Sequence, residues 1–142
     1  MNSARFAEES KKFIATHPEW RLNFDELRLK RSKAEFEADF AILLHPLYLV
    51  PVLYFSVMKS ELLEDGLVTT RLASIEDITF INCKSEQVIS FGENTSSGAI
   101  MYFVHPCQTA EFMNQVMAAC PNTSYLESWY SFIKQIIKID EL

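Results

Sequence analysis

The apolar positions along this chain change period several times, and each change marks a new element. Phe6, Ala7, Phe13 and Ile14 share one face at a spacing near the helical repeat, which predicts a first helix capped by Asn2 or Ser3. It should stop near His17, because the residue before Pro18 is pushed out of helical backbone. From Trp20 the period falls to two: Trp20, Leu22 and Phe24, then after a slip Leu27 and Leu29, then Phe36, Ala38, Phe40 and Ile42. That alternation predicts antiparallel strands with one face on a core. The stretch from Leu47 to Val57 is apolar on both faces, as a central strand would be, with a bulge or strand end expected at Pro51, which has no amide donor.

Further on, Glu64, Asp65 and Gly66 predict a turn, and Ser74 with Asp77 approximates a capping box for a short helix carrying Ile75, Ile78 and Ile81. Val88 to Phe91 and Ala99 to Val104, joined by the polar GENTSSG, predict a hairpin with a mobile loop. The second of these strands runs straight into His105, Pro106 and Cys107. Gln108 or Thr109 then opens a helical pattern with Phe112, Met113, Val116 and Met117 on one face, ending before Pro121. Ser124 and Glu127 form a capping box ahead of Tyr125, Trp129, Phe132, Ile133, Ile136 and Ile137 at helical spacing. Helix, four or more strands, a cysteine at a strand exit, then helices: the expected fold class is α+β, an antiparallel sheet with helices packed on it.

The chain has 142 residues, which predicts a single domain over 1–142, able to bury about two thirds of its unfolded surface. A net charge of -6 gives no general pull toward phosphate backbones, and the basic stretch Arg28 to Lys33 is short, so nucleic acid is a poor expectation. The segment Ile42 to Met58 reaches the lower edge of membrane-spanning length. Two prolines, His45 and many β-branched and aromatic residues suit it better to buried strands. The charged N-terminal segment has no signal-peptide pattern, and the expected location is cytoplasmic. Three cysteines without a CxxC pair predict neither a disulfide framework nor a thioredoxin-like site. Gly-rich phosphate loops are missing and the histidines lack zinc-like spacing, so neither a cofactor nor a metal is expected.

Cys107 is the residue most suited to chemistry. It follows a buried-type strand and stands just before a helix whose unpaired amides point back toward it, a setting that lowers thiol pKa. Cys83 and Cys120 read as packed or half-exposed structural residues. His105, two positions ahead of Cys107, can share a face with it in extended backbone. It is a candidate for orienting or proton handling, beside the alternative of a hydrogen-bonded structural histidine. A Cys/His hydrolase is conceivable on residue types alone, but nothing local specifies an oxyanion pocket.

Three segments, PVLYF at 51–55, FVHPCQTAEFM at 103–113 and YLESWYSF at 125–132, together closely resemble the autophagy-related protein ten family. These are ubiquitin-conjugating-like enzymes. A weaker likeness extends to autophagy-related protein three. The resemblance implies a ubiquitin-conjugating-like fold and a thioester on Cys107. The modifier would be autophagy-related protein twelve, received from the activating enzyme autophagy-related protein seven and passed to a lysine of autophagy-related protein five. A catalytically inactive binding module of the same fold, docking the acceptor, is the alternative. Recruitment to preautophagosomal membranes would come through partners. Ordinary ubiquitin-conjugating enzymes place asparagine after His-Pro and their cysteine later, so the oxyanion donor is left open. Asn82, after the short helix, and Asn94, in the loop before the cysteine strand, are candidates for it. Tyr48 and Tyr54 are candidates for orienting a neighbour, with aromatic packing as the alternative role.

Overall fold

The structure, a computed structural model, describes residues 1–78, 81 and 89–141. Asn82, Cys83 and Val88, named above, lie outside the described residues.

Helix α1 spans Ser3–Thr16. Asn2 Oδ1 accepts the Arg5 amide at 2.8 Å, satisfying one of the donors a helix start leaves free. Phe6 and Phe13 are buried as their spacing predicts, but Ala7 is exposed, and Glu9 and Ser10 complete the buried stripe instead. The strands are β1 Arg21–Asn23, β2 Glu26–Lys33, β3 Phe36–Leu44, β4 Pro51–Leu62, β5 Val68–Leu72, β6 Ile89–Glu93 and β7 Ile100–Val104. They form a seven-stranded antiparallel sheet ordered β1-β2-β3-β4-β7-β6, with β5 on the far half of β4. Helices α2, Pro106–Ala119, and α3, Tyr125–Ile136, complete the α+β fold.

Register decides which side chains meet. Phe40 lies opposite Phe55 and Ile42 opposite Leu53, so these residues share one face with Leu27, Leu29 and Val57. Phe6 and Phe13 of α1 and Leu126, Trp129, Tyr130 and Ile133 of α3 cover that face. Ala41, Leu43, Val52 and Tyr54 point the other way and pack with Met101 and Phe103 of β7. Phe13 meets Tyr130 edge-on at 5.0 Å, and the Trp20 indole N–H donates to the Tyr130 hydroxyl at 3.1 Å. Burial pushes the Tyr130 phenol up to about 12, so it stays protonated.

The start of α3 is closed by α1. Ser124 Oγ accepts the Glu127 amide, but the Glu127 carboxylate does not reach back as a capping box would. It takes the Thr16 hydroxyl at 2.8 Å and His17 Nε2 at 2.9 Å. Glu9 supplies the missing acceptor, its Oε1 taking the Leu126 amide at 2.9 Å and the Ser124 hydroxyl at 2.8 Å. Burial alone would raise the Glu9 carboxyl, yet the Leu126 amide, Ser124 and Arg5 together hold it below the ordinary range. Glu127, Ser128 and Trp129, within the YLESWYSF segment, therefore lie in an architectural stretch: Glu127 clamps the end of α1 and Trp129 is fully buried.

Three further expectations are corrected. Phe24 is 96% exposed, because it sits at positive φ in the β1–β2 turn and not on the strand face. Leu47, Tyr48 and Leu49 are not strand; they form an exposed β3–β4 loop, with Leu49 at positive φ, and the strand begins at Pro51. Ser74 makes no side-chain cap but donates its hydroxyl to Asp77, and Ile75–Asp77 form a 3₁₀ turn, not the start of an α-helix. Gly66 at positive φ closes the β4–β5 hairpin in the region expected to turn.

Candidate functional site

Strand β7 leads directly into α2, and the local sequence makes the junction sharp. Pro106 occupies the first helical position, where its fixed φ suits the helix and its missing N–H costs nothing. His105 is the N-cap, and its Nδ1 accepts the Cys107 amide at 3.2 Å. The helix thus begins at Pro106, earlier than the Gln108 or Thr109 start expected. Cys107 lies within the first turn, not ahead of it. The Thr109 hydroxyl donates to the Pro106 carbonyl at 3.0 Å and is itself buried, while Met113 anchors the helix in the core. Cys107 is exposed. The positive end of the helix dipole favours negative charge developing beside it.

Because His105 Nδ1 accepts an N–H, the neutral ring carries its proton on Nε2, which leaves that atom as its one donor. The ring is met edge-on by Tyr48 at 5.9 Å and lies 6.2 Å from Phe103. Tyr48 in turn meets the ring of His45 edge-on at 5.1 Å. His45 Nδ1 accepts two amides, from Leu47 at 3.2 Å and Tyr48 at 3.3 Å. Burial, and then the nearby His105, lower the His45 pKa below the ordinary histidine value.

The structure therefore brings Tyr48 to His105, which caps the helix turn that holds Cys107, and does not bring the other two described candidates with them. Tyr54 is 2% exposed, directly across from Phe103 on the second face of the sheet, with its ring packed against that residue at 5.3 Å. Asn94 is buried in the β6–β7 turn. Its Oδ1 accepts the Ser96 and Ser97 amides, and its Nδ2 lies 3.7 Å from the Met101 sulfur. Its amide is thereby committed to shaping the turn. Asn82 lies outside the described residues. Sequence reasoning set His45 aside, although a signal was there. The chain has two described His-Pro doublets of this design, His45-Pro46 and His105-Pro106. In both, proline has no amide to offer, and the histidine Nδ1 takes the next amide along.

Among the described residues, no cluster of three or more His, Cys, Asp or Glu side chains is arranged to hold a metal ion. No helix among them is long and apolar enough to cross a membrane. A groove of about 440 Å³ lies below the β3–β4 loop, lined by Phe6, Leu43, Leu44, Pro46 and Leu49 with Asp25, Thr95 and Ser96 at polar positions.

Comparison with known proteins places this geometry. The family model described as autophagocytosis associated protein, active-site domain, matches residues 5–142. Among solved structures, a crystal structure of the autophagic E2 Atg10 superposes with a TM-score of 0.65 at 18% identity, over 93% of this chain and 92% of that one. Solution structures of KmAtg10 give a TM-score of 0.62 at 16% identity, over 96% of each chain. At these identities the likeness is one of fold. No curated protein matches significantly.

Proposed function

The chain belongs to the family of autophagocytosis-associated proteins defined by their active-site domain, and from that premise we propose that it is an E2-like conjugating enzyme of autophagy acting through Cys107. The observation that carries the reading is an exposed thiol in the first turn of α2, where the sheet hands over to a helix. Autophagy-related protein twelve would be the cargo, autophagy-related protein seven its donor, and a lysine of autophagy-related protein five the acceptor.

The chemistry needs little from the protein in the first step. The Cys107 thiolate attacks the carbonyl carbon of the donor's thioester; a new C–S bond forms, the old one breaks, and the donor leaves as a thiolate. One thioester replaces another, so access and thiolate fraction govern the rate. The second step is harder. A neutral lysine amine must attack, forming C–N and breaking the C–S bond to Cys107, while the amine proton passes to solvent or a nearby base. Roughly three pH units separate a free lysine from neutrality, about 4 kcal/mol, which desolvation at a docked interface reduces. Charge builds on the carbonyl oxygen during attack. In this reading the Nε2–H of His105 and the start of α2 meet that charge, and Tyr48 holds the ring of His105 at its angle.

The test is direct. Incubation with the activating enzyme, ATP and the modifier should give an adduct that reducing agent cleaves, and Cys107→Ser should turn it into a reductant-resistant ester. Failure to form any adduct at Cys107 overturns the proposal. Binding to the acceptor that survives Cys107→Ala, with no adduct and no transfer, would assign the chain instead as an inactive docking module.

A further inference from the structure

The β3–β4 loop presents a puzzle of positioning. It carries Tyr48 to within ring contact of His105, yet burial does not hold it there, since Leu47 is 83% exposed and Leu49 47% exposed. Its path must come from hydrogen bonds. The Leu49 amide donates to the His45 carbonyl and the His45 amide to the Val50 carbonyl, closing the loop at its base. The Met1 amine reaches the Leu49 carbonyl at 2.9 Å. Among the described residues, the backbone amides at the tip are held by the His45 ring, one nitrogen accepting both the Leu47 and Tyr48 amides.

We propose that His45 is a positioning residue for the cysteine site: its Nδ1 holds the tip of the β3–β4 loop on the path that sets Tyr48 against His105, the cap of the Cys107 helix. The chain of contact is continuous, from His45 Nδ1 to the Tyr48 backbone, from the Tyr48 ring to the His105 ring, and from His105 Nδ1 to the Cys107 amide. Coupling through it requires only that each ring have one favoured placement. The inference deepens the reading of Cys107 given above and rests on it.

The device is also sensitive to protons. A protonated imidazole has no acceptor, so protonating His45 breaks both amide bonds at once. The titratable groups that face it are Tyr48 on its own loop and His105 across the site; the Met1 amine lies at Leu49, and Asp25 lines the groove with Pro46. Burial and His105 both favour the neutral ring. The loop should therefore keep its path at neutral pH and release it in acid, below the ordinary histidine value.

Three proteins decide the matter: wild type, His45→Ala and His45→Asn. Asparagine offers a side-chain oxygen to the same two amides but does not titrate. With Cys107 loaded beforehand, the single-turnover rate of transfer to saturating acceptor is followed from pH 5.5 to 8.5. His45→Ala should slow transfer about tenfold at pH 7.5, with loading unchanged, and His45→Asn should stay within about threefold of wild type. The wild-type rate should fall in acid more steeply than protonation of the acceptor lysine alone requires, and His45→Asn should lose that extra fall. Equal rates in all three proteins, or an acid limb unchanged in His45→Asn, would overturn the proposal. If wild type takes no cargo, the reading of Cys107 falls separately. NMR then decides the positioning claim, because Tyr48 and His105 ring resonances should move in His45→Ala and be restored in His45→Asn. No movement would refute it.

Discussion

Two corners of this molecule use the same residue types to opposite ends. At the junction of α1 and α3, His17 stacks on Phe13 at 4.2 Å, meets Tyr130 edge-on at 5.1 Å and binds the Glu127 carboxylate at 2.9 Å. At the start of α2, His105 meets Tyr48 edge-on and binds the amide of an exposed cysteine. The first histidine is flanked by aromatic rings and closed by carboxylates; its Nε2 is spent on joining the end of α1 to α3, and its Nδ1 lies 3.7 Å from Glu19. The second keeps one ring nitrogen as a donor that no bond among the described residues consumes, next to a thiol that faces solvent. What closes the other side of a His and Tyr pair decides whether a ring nitrogen is left over.

That contrast can be broken from the structural side. Trp129→Ala should cost the most, about 3–5 kcal/mol, since a fully buried indole beneath the helix clamp leaves a cavity that the sheet cannot fill. Urea denaturation measures it. Next comes Glu9→Gln, expected to lose about 1–3 kcal/mol because a charge-assisted acceptor at the start of α3 is replaced by a neutral one. Its pH dependence sharpens the test. The folded Glu9 carboxyl is held below its unfolded value, so its contribution is present above the unfolded pKa and lost as pH falls through the folded one. Wild type should therefore lose more stability than Glu9→Gln between pH 6 and pH 3. Tyr130→Phe removes the acceptor of the Trp20 indole N–H and should cost about 1–2 kcal/mol in the same assay.

From the other corner the expected stability effects are smaller. His105→Ala removes a cap and should cost about 0.5–1 kcal/mol, with a larger loss in transfer from Cys107. Cys107→Ala should change stability by less than about 0.5 kcal/mol, as an exposed side chain outside the core, while abolishing transfer. A large destabilisation in Cys107→Ala would place that residue with the clamp and erase the contrast.

Legibility followed the range of the interactions involved. Helix α3 could be read closely because Ser124 and the apolar spacing from Tyr125 to Ile136 act within a few residues of one another. The strand pairing of Phe40 and Ile42 with Phe55 and Leu53 agrees with a period of two, and the strand end at Pro51 with its missing donor. The loop from Leu47 to Leu49 reads as strand in the sequence because apolar side chains alone cannot show that Leu49 takes positive φ. The sequence places the start of α2 too late because a histidine is a rarer cap than serine or threonine, and its capping nitrogen is on a ring. Cys107 stood out in the sequence, as did His105 and Tyr48 as possible helpers; Tyr54 and Asn94 looked equally eligible until their burial was known.

Composition, period and capping chemistry thus determined by themselves that this chain makes an α+β fold with a cysteine where strand passes into helix. Those signals are local, and the backbone obeys them within a turn or a strand. Only the tertiary structure decided that His45 and His105 share one aromatic neighbour, and that Glu9 rather than Glu127 closes the start of α3. Both depend on the register that sets Tyr54 of β4 against Phe103 of β7 and on α1 lying over α3. No periodicity encodes such meetings, because they join segments far apart in the chain whose approach is paid for by the burial of the whole core.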